Sequence, residues 1–377
     1  MVARSEPTPL ALLLAEQIRS HGPITFAEYM EACLYHPLHG YYTKPQQLSR
    51  RDYFTSVDAS PLFGRLLARQ FHEMWRLLGR PEPFWLVEAG AGTGYLAKQI
   101  LDCAAASWPD FYAALQFVAV ERSASRRALQ SQTLDAHIQS GKFALQPGLL
   151  DETPCGCIFS NELVDAMPVH RVIRDGNDLR EIYVGLGKNG LCNEWGVLSS
   201  SVLEEYFSEQ RISLQEEQQA EVNLAACRWI VEAGEKLRRG FVVTIDYGHE
   251  ASELYDERHM RGTLLAYERH RATENVYRAP GEQDLTAHVN FSALHTHGQK
   301  NGLARTGFTS QCNFLMALAR HADFADLQSD ELSEAEQTQR RLLFKTLINP
   351  EGMGETFQVL IQHKGIARPS LAGLEPL

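Results

Sequence analysis

The fold is decided by the stretch FWLVEAGAGTG, residues 84–94, which joins an apolar run to a glycine-rich turn. The apolar run predicts a buried strand, and the turn leads into the helical pattern of residues 95–106. Glycines let the backbone turn tightly and approach a ligand, because no Cβ stands in the way. The dinucleotide fingerprint needs its third glycine at the sixth place, whereas here that glycine takes the fifth place and Tyr95 the sixth. The spacing therefore disfavours NAD and suits a ligand without a pyrophosphate.

Strand signals continue on the C-terminal side of this loop and alternate with helical patterns. They lie at residues 117–120, 143–145, 157–159, 241–245, 303–309 and 356–363. Strands that interleave with helices are typical of a parallel sheet with helices on both faces. We therefore expect an α/β fold built on a mainly parallel sheet.

The remaining segments are predicted to form a cap and two insertions. The predicted boundaries are 1–80 for an N-terminal helical cap, 81–377 for the sheet domain, and about 165–240 and 249–290 for its insertions. Two short helices in the cap are broken by Gly22 and the proline after it. The first insertion is expected to hold a hairpin around Gly176 and helical structure over 202–239.

Composition excludes several classes of protein. The chain has 377 residues, of which 44% are hydrophobic and 22% charged, so it can bury a large core without stabilisation by disulfides or metal ions. A net charge of −11 disfavours a surface that binds the phosphate backbone of a nucleic acid. The apolar run at 10–15 is too short for a signal-peptide core, and no run approaches a membrane span. Seven cysteines do not suggest a disulfide framework, so we expect a cytoplasmic protein.

An acidic residue at the end of the next strand complements the glycine loop. Glu121 follows the apolar run 117–120, where a carboxylate can accept hydrogen bonds from the two hydroxyls of a ribose. A glycine loop followed by an acid-terminated strand resembles the S-adenosylmethionine (SAM) site of Rossmann-like methyltransferases. Glu88, Gly90, Gly92, Gly94 and Glu121 are therefore the predicted cofactor-binding residues. The alternative is a structural turn or a site for another nucleotide.

Candidate residues for the chemistry follow the strand at 157–159. Asn161 and Glu162 would lie beside the reactive methyl group, because ligands of open parallel sheets bind beyond the carboxyl ends of the strands. Asp165 is three residues further on, so one helical turn would place it on the same face as Glu162. A carboxylate can hold an amine nucleophile and accept its proton. The alternative is that Glu162 caps a helix and Asp165 is solvated.

No metal site is predicted. Cys155 and Cys157 have no second pair at the spacing of zinc ligands, and the fourteen histidines show no paired spacing. His288 is interpreted as a hydrogen-bonded structural histidine that could instead face a cleft. For Asp246, at another strand end, a pocket role and a simple turn stay equally open.

Several blocks of sequence, spread over nearly the whole chain, resemble the mitochondrial complex I assembly-factor methyltransferase family and its bacterial MidA-like relatives. The blocks are HPLHGYY (36–42), DYFTS (52–56), SPLFG (60–64), EAGAGTG (88–94), SNELVDAMP (160–168), IDYG (245–248), GTL (262–264), PG (280–281), DLTAHV (284–289) and NPEGMGETF (349–357). The resemblance implies a Rossmann-like, SAM-dependent methyltransferase fold and a protein arginine as substrate. Oligomeric state is left open.

The resemblance also suggests roles for further residues. Asp151 would lie near the adenine, while Tyr41, Tyr42, Phe54 and residues 60–64 would close the cleft and exclude water. Two positions depart from the family pattern: the family commonly has a glutamate before Ile-Ser-Pro, where this chain has DASP (58–61), and an aspartate where it has Asn290. If those positions bind substrate, the substrate differs. The alternative functions are a non-catalytic SAM-binding assembly or chaperone protein and, less favoured, a nicotinamide oxidoreductase.

Overall fold

The structure, a computed structural model, divides into two compact units. It describes residues 6–44, 61–268, 271–322, 324, 333–349 and 356–377. The sheet unit comprises Phe54–Leu163, Trp229–Gly248 and His295–Leu377; the insertion unit comprises Met1–Tyr53, Val164–Arg228 and His249–Leu294. The N-terminal helices therefore group with residues of both predicted insertions. The predicted domain boundaries, including the one at residue 80, stay predictions.

The sheet unit is built on a path of paired strands that is mainly parallel, as predicted. In order across the sheet, these are Ala304–Ser310, Phe357–Lys364, Gly240–His249, Gly156–Asn161, Phe84–Ala89, Leu115–Val120 and Phe143–Gln146. The last five pair in parallel. Phe357–Lys364 runs antiparallel to both of its neighbours. The central parallel strands are mostly apolar because both of their faces are buried, whereas the edge strand Phe143–Gln146 is partly exposed.

Helices cover both faces of this sheet, which confirms the α/β prediction. The sheet unit contains the helices Pro61–Leu77, Tyr95–Ser107, Pro109–Ala114, Ala124–Thr133, Asp135–Gln139, Gln311–His321 and Glu334–Ile348. On one face, Phe71, Phe111 and Phe314 pack in a core cluster with alternate strand residues such as Phe159. On the other face, Gly298 in the Phe291–Lys300 helix lies so close to Gln362 that a Cβ would come within 2.3 Å of its amide.

The insertion unit carries two smaller antiparallel sheets. One joins Ile24–Thr25, Gly190–Gly196, Asp178–Gly187, His170–Asp175 and Gln219–Val222; the other joins Arg271–Thr273, Leu265–Glu268 and Asp284–Thr286. Its remaining elements are the helices Pro9–His21, Phe26–Tyr35, Val202–Glu209 and Ala251–Leu254, and short 3-10 helices at Tyr41–Thr43 and Glu257–His259. The predicted hairpin around Gly176 and the break between the first two helices are confirmed.

The prediction of helical structure over the whole of residues 202–239 is wrong. The segment contains two helices, Val202–Glu209 and Leu224–Lys236, and the strand Gln219–Val222 lies between them. That strand pairs with residues 170–173 and buries Ala220 and Val222. A long-range partner therefore overrides the local helical preference of a Glu- and Gln-rich sequence. Among the described residues, no helix has the length and apolarity needed to cross a membrane.

Candidate functional site

The glycine loop links the Phe84–Ala89 strand to the Tyr95–Ser107 helix. Gly90, Gly92 and Gly94 all have left-handed backbone angles, with φ of 74°, 53° and 79°. The Gly90 and Ala91 N–H groups donate to the carbonyl of Val120, at 2.9 and 3.2 Å, and this ties the loop to the end of the neighbouring strand. The loop is thus held in a conformation that glycine adopts without the usual steric cost.

The three glycines differ in what surrounds them. A Cβ at Gly90 would lie 2.8 Å from a methyl carbon of Leu163, and one at Gly94 would lie 2.9 Å from Gln130 and Leu134. A Cβ at Gly92 would meet only a carbonyl oxygen at 4.0 Å. A side chain at the first or third position would therefore have to displace neighbouring side chains. Gly92 instead faces open space, where a ligand can approach the backbone.

Glu121 lies against the loop, as its position at the strand end predicts. One carboxylate oxygen accepts the Gly92 N–H at 3.1 Å, and the other accepts the Ser123 N–H at 2.8 Å. Arg126 approaches the first oxygen at 3.9 Å. A carboxylate offers about four lone-pair positions, so two oxygens held this way can still accept hydroxyl donors.

Glu88 is a buried carboxyl group beside the same loop. Its side chain is 4% exposed, and one of its oxygens is buried without a hydrogen-bond partner. Burial, with a smaller contribution from the nearby Glu121, raises the pKa of Glu88 to about 8. An unpaired buried carboxylate is costly, and a cationic group brought next to it would remove that cost.

Asn161 and Glu162 are adjacent at the end of the Gly156–Asn161 strand. The Asn161 amide donates to the Glu162 carboxylate at 3.1 Å, and the amide oxygen of Asn161 is buried without a hydrogen-bond partner. Glu162 has a φ of 52°, a conformation that costs a non-glycine residue about 1–2 kcal/mol. Strain of this kind concentrates at functional sites.

Asp246 fixes the backbone that follows Glu162, a role the sequence left open. It is fully buried, and its two oxygens accept the N–H groups of Leu163 at 3.2 Å and Tyr247 at 3.0 Å. Glu162 also donates its backbone N–H to the carbonyl of Ile245 at 3.0 Å. Asp246 is therefore a positioning residue for the strained segment.

The helical turn expected to align Glu162 with Asp165 is absent from residues 161–168, all of which the structure describes. The left-handed conformation of Glu162 cannot continue a helix, and only a turn closed by the Met167 N–H on the Val164 carbonyl follows. Asp165 belongs to the insertion unit, where it is 5% exposed rather than solvated. Asp151 is exposed in the loop after Phe143–Gln146.

The residues predicted to close the cleft have varied environments. In the insertion unit, Tyr41 is buried and the Tyr42 hydroxyl donates to Asp284 at 2.7 Å. In the sheet unit, Phe63 is fully buried in the core cluster, where its side chain serves packing. Phe54 and Ser60 lie outside the described residues, as does most of the departure at residues 58–61.

The second departure, Asn290, has a structural role within the insertion unit. Its amide donates to the Tyr206 hydroxyl at 2.9 Å and to Gln210 at 2.8 Å. Its oxygen accepts the N–H of Ala293 at 3.0 Å, which caps the helix that starts at residue 291. Asn290 can do both because an amide carries a donor and an acceptor, whereas an ionised aspartate only accepts.

Two groups of residues were missed by the sequence analysis. Gln130, fully buried on the Ala124–Thr133 helix, donates to the carbonyl of Gly92 at 2.6 Å. In the insertion unit, His249, His259 and His288 come together. Neither has a local signal, since Gln130 is 38 residues from its partner and the histidines are 10 and 29 residues apart.

Comparison with known proteins identifies relatives along nearly the whole chain. Residues 66–309 match the model of a family described as "Putative S-adenosyl-L-methionine-dependent methyltransferase". A Drosophila melanogaster protein named protein arginine methyltransferase NDUFAF7 homolog, mitochondrial, is 28% identical over 97% of this chain and 87% of its own. The human protein arginine methyltransferase NDUFAF7, mitochondrial, is 28% identical over 96% of this chain and 85% of its own.

Solved structures give the same result. A COG1565 superfamily protein from Burkholderia thailandensis is 30% identical, with a TM-score of 0.85 over 99% of this chain and 98% of its own. A second structure from that organism, of a COG1565 member and "likely methyl transferase" bound to S-adenosyl-homocysteine, has the same identity and TM-score over 98% and 97%. The fold predicted from the glycine loop and the alternating strands is thereby confirmed.

Proposed function

Since the chain belongs to the family of S-adenosyl-L-methionine-dependent methyltransferases whose model matches its residues 66–309, we propose that it methylates an arginine side chain of a protein. The observation that carries the proposal is the open face of Gly92 in the loop that follows Glu88, a buried carboxyl with one oxygen that has no hydrogen-bond partner. The names of the relatives from fly and human support arginine as the acceptor.

The residues around the loop fit a cofactor that has a cationic part and a ribose. SAM, when bound, supplies a methyl group on a positively charged sulfur. Gly92 gives the cofactor access to the backbone, and Glu88 offers its unpaired oxygen to a cationic group. Glu121, already aligned by two backbone N–H groups, accepts the ribose hydroxyls. Asp151, exposed in its loop, stays a proposed neighbour of the adenine.

Asn161 and Glu162 are proposed to hold the nucleophile. A guanidinium is always protonated and presents five donors, which match a carboxylate and an amide oxygen. Glu162 supplies the carboxylate, and Asn161 supplies an amide oxygen that is buried without a partner. Glu162 would accept the proton that the nitrogen loses when its bond to the methyl carbon replaces the bond from that carbon to the cofactor sulfur, which leaves as a neutral thioether.

The test measures transfer and residue identity together. Purified protein is incubated with methyl-labelled SAM and the protein fraction of a lysate, which is then hydrolysed and searched for labelled methylarginine. We expect label in methylarginine, and none with Gly92→Val. Cofactor binding without any transfer would refute catalysis and favour a SAM-binding assembly protein. Label confined to lysine or to small molecules would refute arginine as the acceptor.

The setting of this reaction is also a proposal. A protein substrate with an exposed arginine suits a chain of net charge −11, because opposite charges favour encounter. The cysteine content supports a reducing compartment such as the cytoplasm.

A further inference from the structure

We propose that His249, His259 and His288 bind a divalent transition-metal ion of the zinc class. One ring nitrogen from each of the three lies within 4.8 Å of the other two. All three belong to the insertion unit, and none of them has a role in the methyl transfer proposed above.

The three histidines come from separate segments of the chain. His249 ends the Gly240–His249 strand, His259 ends the Glu257–His259 turn, and His288 lies just before the Val289–Asn290 strand. Their ring centroids are 5.4 to 6.3 Å apart. The side chains of His249 and His259 are 22% and 20% exposed, so an ion can reach them from solvent. A bound ion would cross-link three segments of the insertion unit.

The spacing suits a metal ion after a small side-chain adjustment. Nitrogens at the corners of a triangle with 4.8 Å sides lie about 2.8 Å from its centre, against a Zn–N bond of about 2.0–2.1 Å. Each ring therefore needs to move by less than about 1 Å. A water molecule can complete a tetrahedral set of ligands.

Acceptors behind two of the rings strengthen the assignment. Nδ1 of His259 lies 3.1 Å from the Glu253 carbonyl and 3.6 Å from the Asp256 carboxylate. Nδ1 of His249 lies 3.5 Å from the Glu253 carboxylate. Histidines that bind metals usually donate their other ring N–H to such acceptors, which leaves Nε2 to bind the ion. Arg258 forms ion pairs with both carboxylates, at 3.5 Å from Glu253 and 2.6 Å from Asp256, so the charge behind the rings is largely balanced.

The donor set indicates the class of ion. Imidazole nitrogens favour zinc and neighbouring transition metals, whereas calcium and magnesium prefer oxygen ligands.

The test titrates untagged, chelator-treated full-length protein with Zn²⁺ by calorimetry and with Co²⁺ by visible absorption. We expect one ion per chain, with Co²⁺ bands of a low-coordinate nitrogen site. His249→Gln, His259→Gln and His288→Gln should each weaken binding by at least about 100-fold, and Glu253→Gln by about 10- to 100-fold. Mg²⁺ should not compete.

The matched control is His21→Gln, because His21 is exposed on the first helix and distant in sequence from the cluster. It should bind Zn²⁺ as the unmodified protein does. Absence of Zn²⁺ binding at 100 times the protein concentration would overturn the proposal. So would binding that persists in all three cluster variants, since the ion would then be held by other histidines. Circular dichroism of each variant separates loss of the site from loss of the fold.

Discussion

Replacing Glu88 by glutamine tests the most unusual group of the candidate site. Burial raises the pKa of this carboxyl from 4.5 to about 8, so the folded protein retains a proton that the unfolded chain has released. Stability must therefore fall as the pH rises through this window, because the unfolded state binds fewer protons there. Glutamine has nearly the same shape and does not ionise. The variant should lack this pH-dependent loss of stability.

The magnitude follows from the pKa values of the carboxyl in the folded and unfolded chain. A tenfold difference in proton affinity between the two states corresponds to about 1.4 kcal/mol, so the interval from 4.5 to about 8 gives at most about 5 kcal/mol. We expect Glu88→Gln and the unmodified protein to have similar free energies of unfolding near pH 4.5. By pH 8 the variant should be more stable by several kcal/mol. Urea unfolding of the ligand-free proteins at half-unit pH steps measures this difference.

The same experiment with SAM connects the carboxyl to function. A cation placed beside Glu88 favours the ionised form, so the affinity of the unmodified protein should rise with pH up to about 8 and then level off. The affinity of Glu88→Gln should be weaker and independent of pH in that range. A stability difference that stays constant from pH 5 to 8 would refute the burial argument. Parallel affinity profiles would refute contact with a cationic ligand.

Three further predictions concern the loop and the strand end. Gly92→Ala should lower SAM affinity more than tenfold in calorimetry. The control is Gly141→Ala, since Gly141 has a φ of 70° and equally open space; it should show similar backbone strain and unchanged affinity. Equal affinity in both variants would contradict ligand contact at this loop. Glu162→Gln should reduce kcat at least 100-fold with SAM affinity unchanged, and unaltered turnover would exclude it as the proton acceptor. Asp246→Asn should lower the free energy of unfolding in urea by about 1–3 kcal/mol, because its amide group would face a backbone N–H donor. It should also reduce kcat more than SAM affinity. A variant of full stability would contradict the positioning role of Asp246.

Much of the sheet unit could be predicted because its signals are local. An apolar run of four to six residues buried on both faces looks the same wherever it occurs, and the glycine loop needs left-handed backbone angles at fixed positions. The same reasoning failed at Gln219–Val222, where the partner strand lies about fifty residues away. Sequence reasoning also failed at Glu162, because the residue type gives no indication of a positive φ. Helical spacing then suggested an alignment with Asp165 that the backbone does not allow.

The sequence by itself determined the class of fold, the family and the position of the glycine loop that we propose binds the cofactor. These features depend on residue types at short, fixed spacings, which local sterics and burial translate directly into structure. Only the tertiary structure distinguished Gly92 from the other two glycines of the loop, left one oxygen of Glu88 without a partner and gave the Asp246 carboxylate its backbone donors. It also brought together three histidines spread over 40 residues. Such groups acquire their chemistry from partners that are distant in the chain, and only folding decides which partners those are.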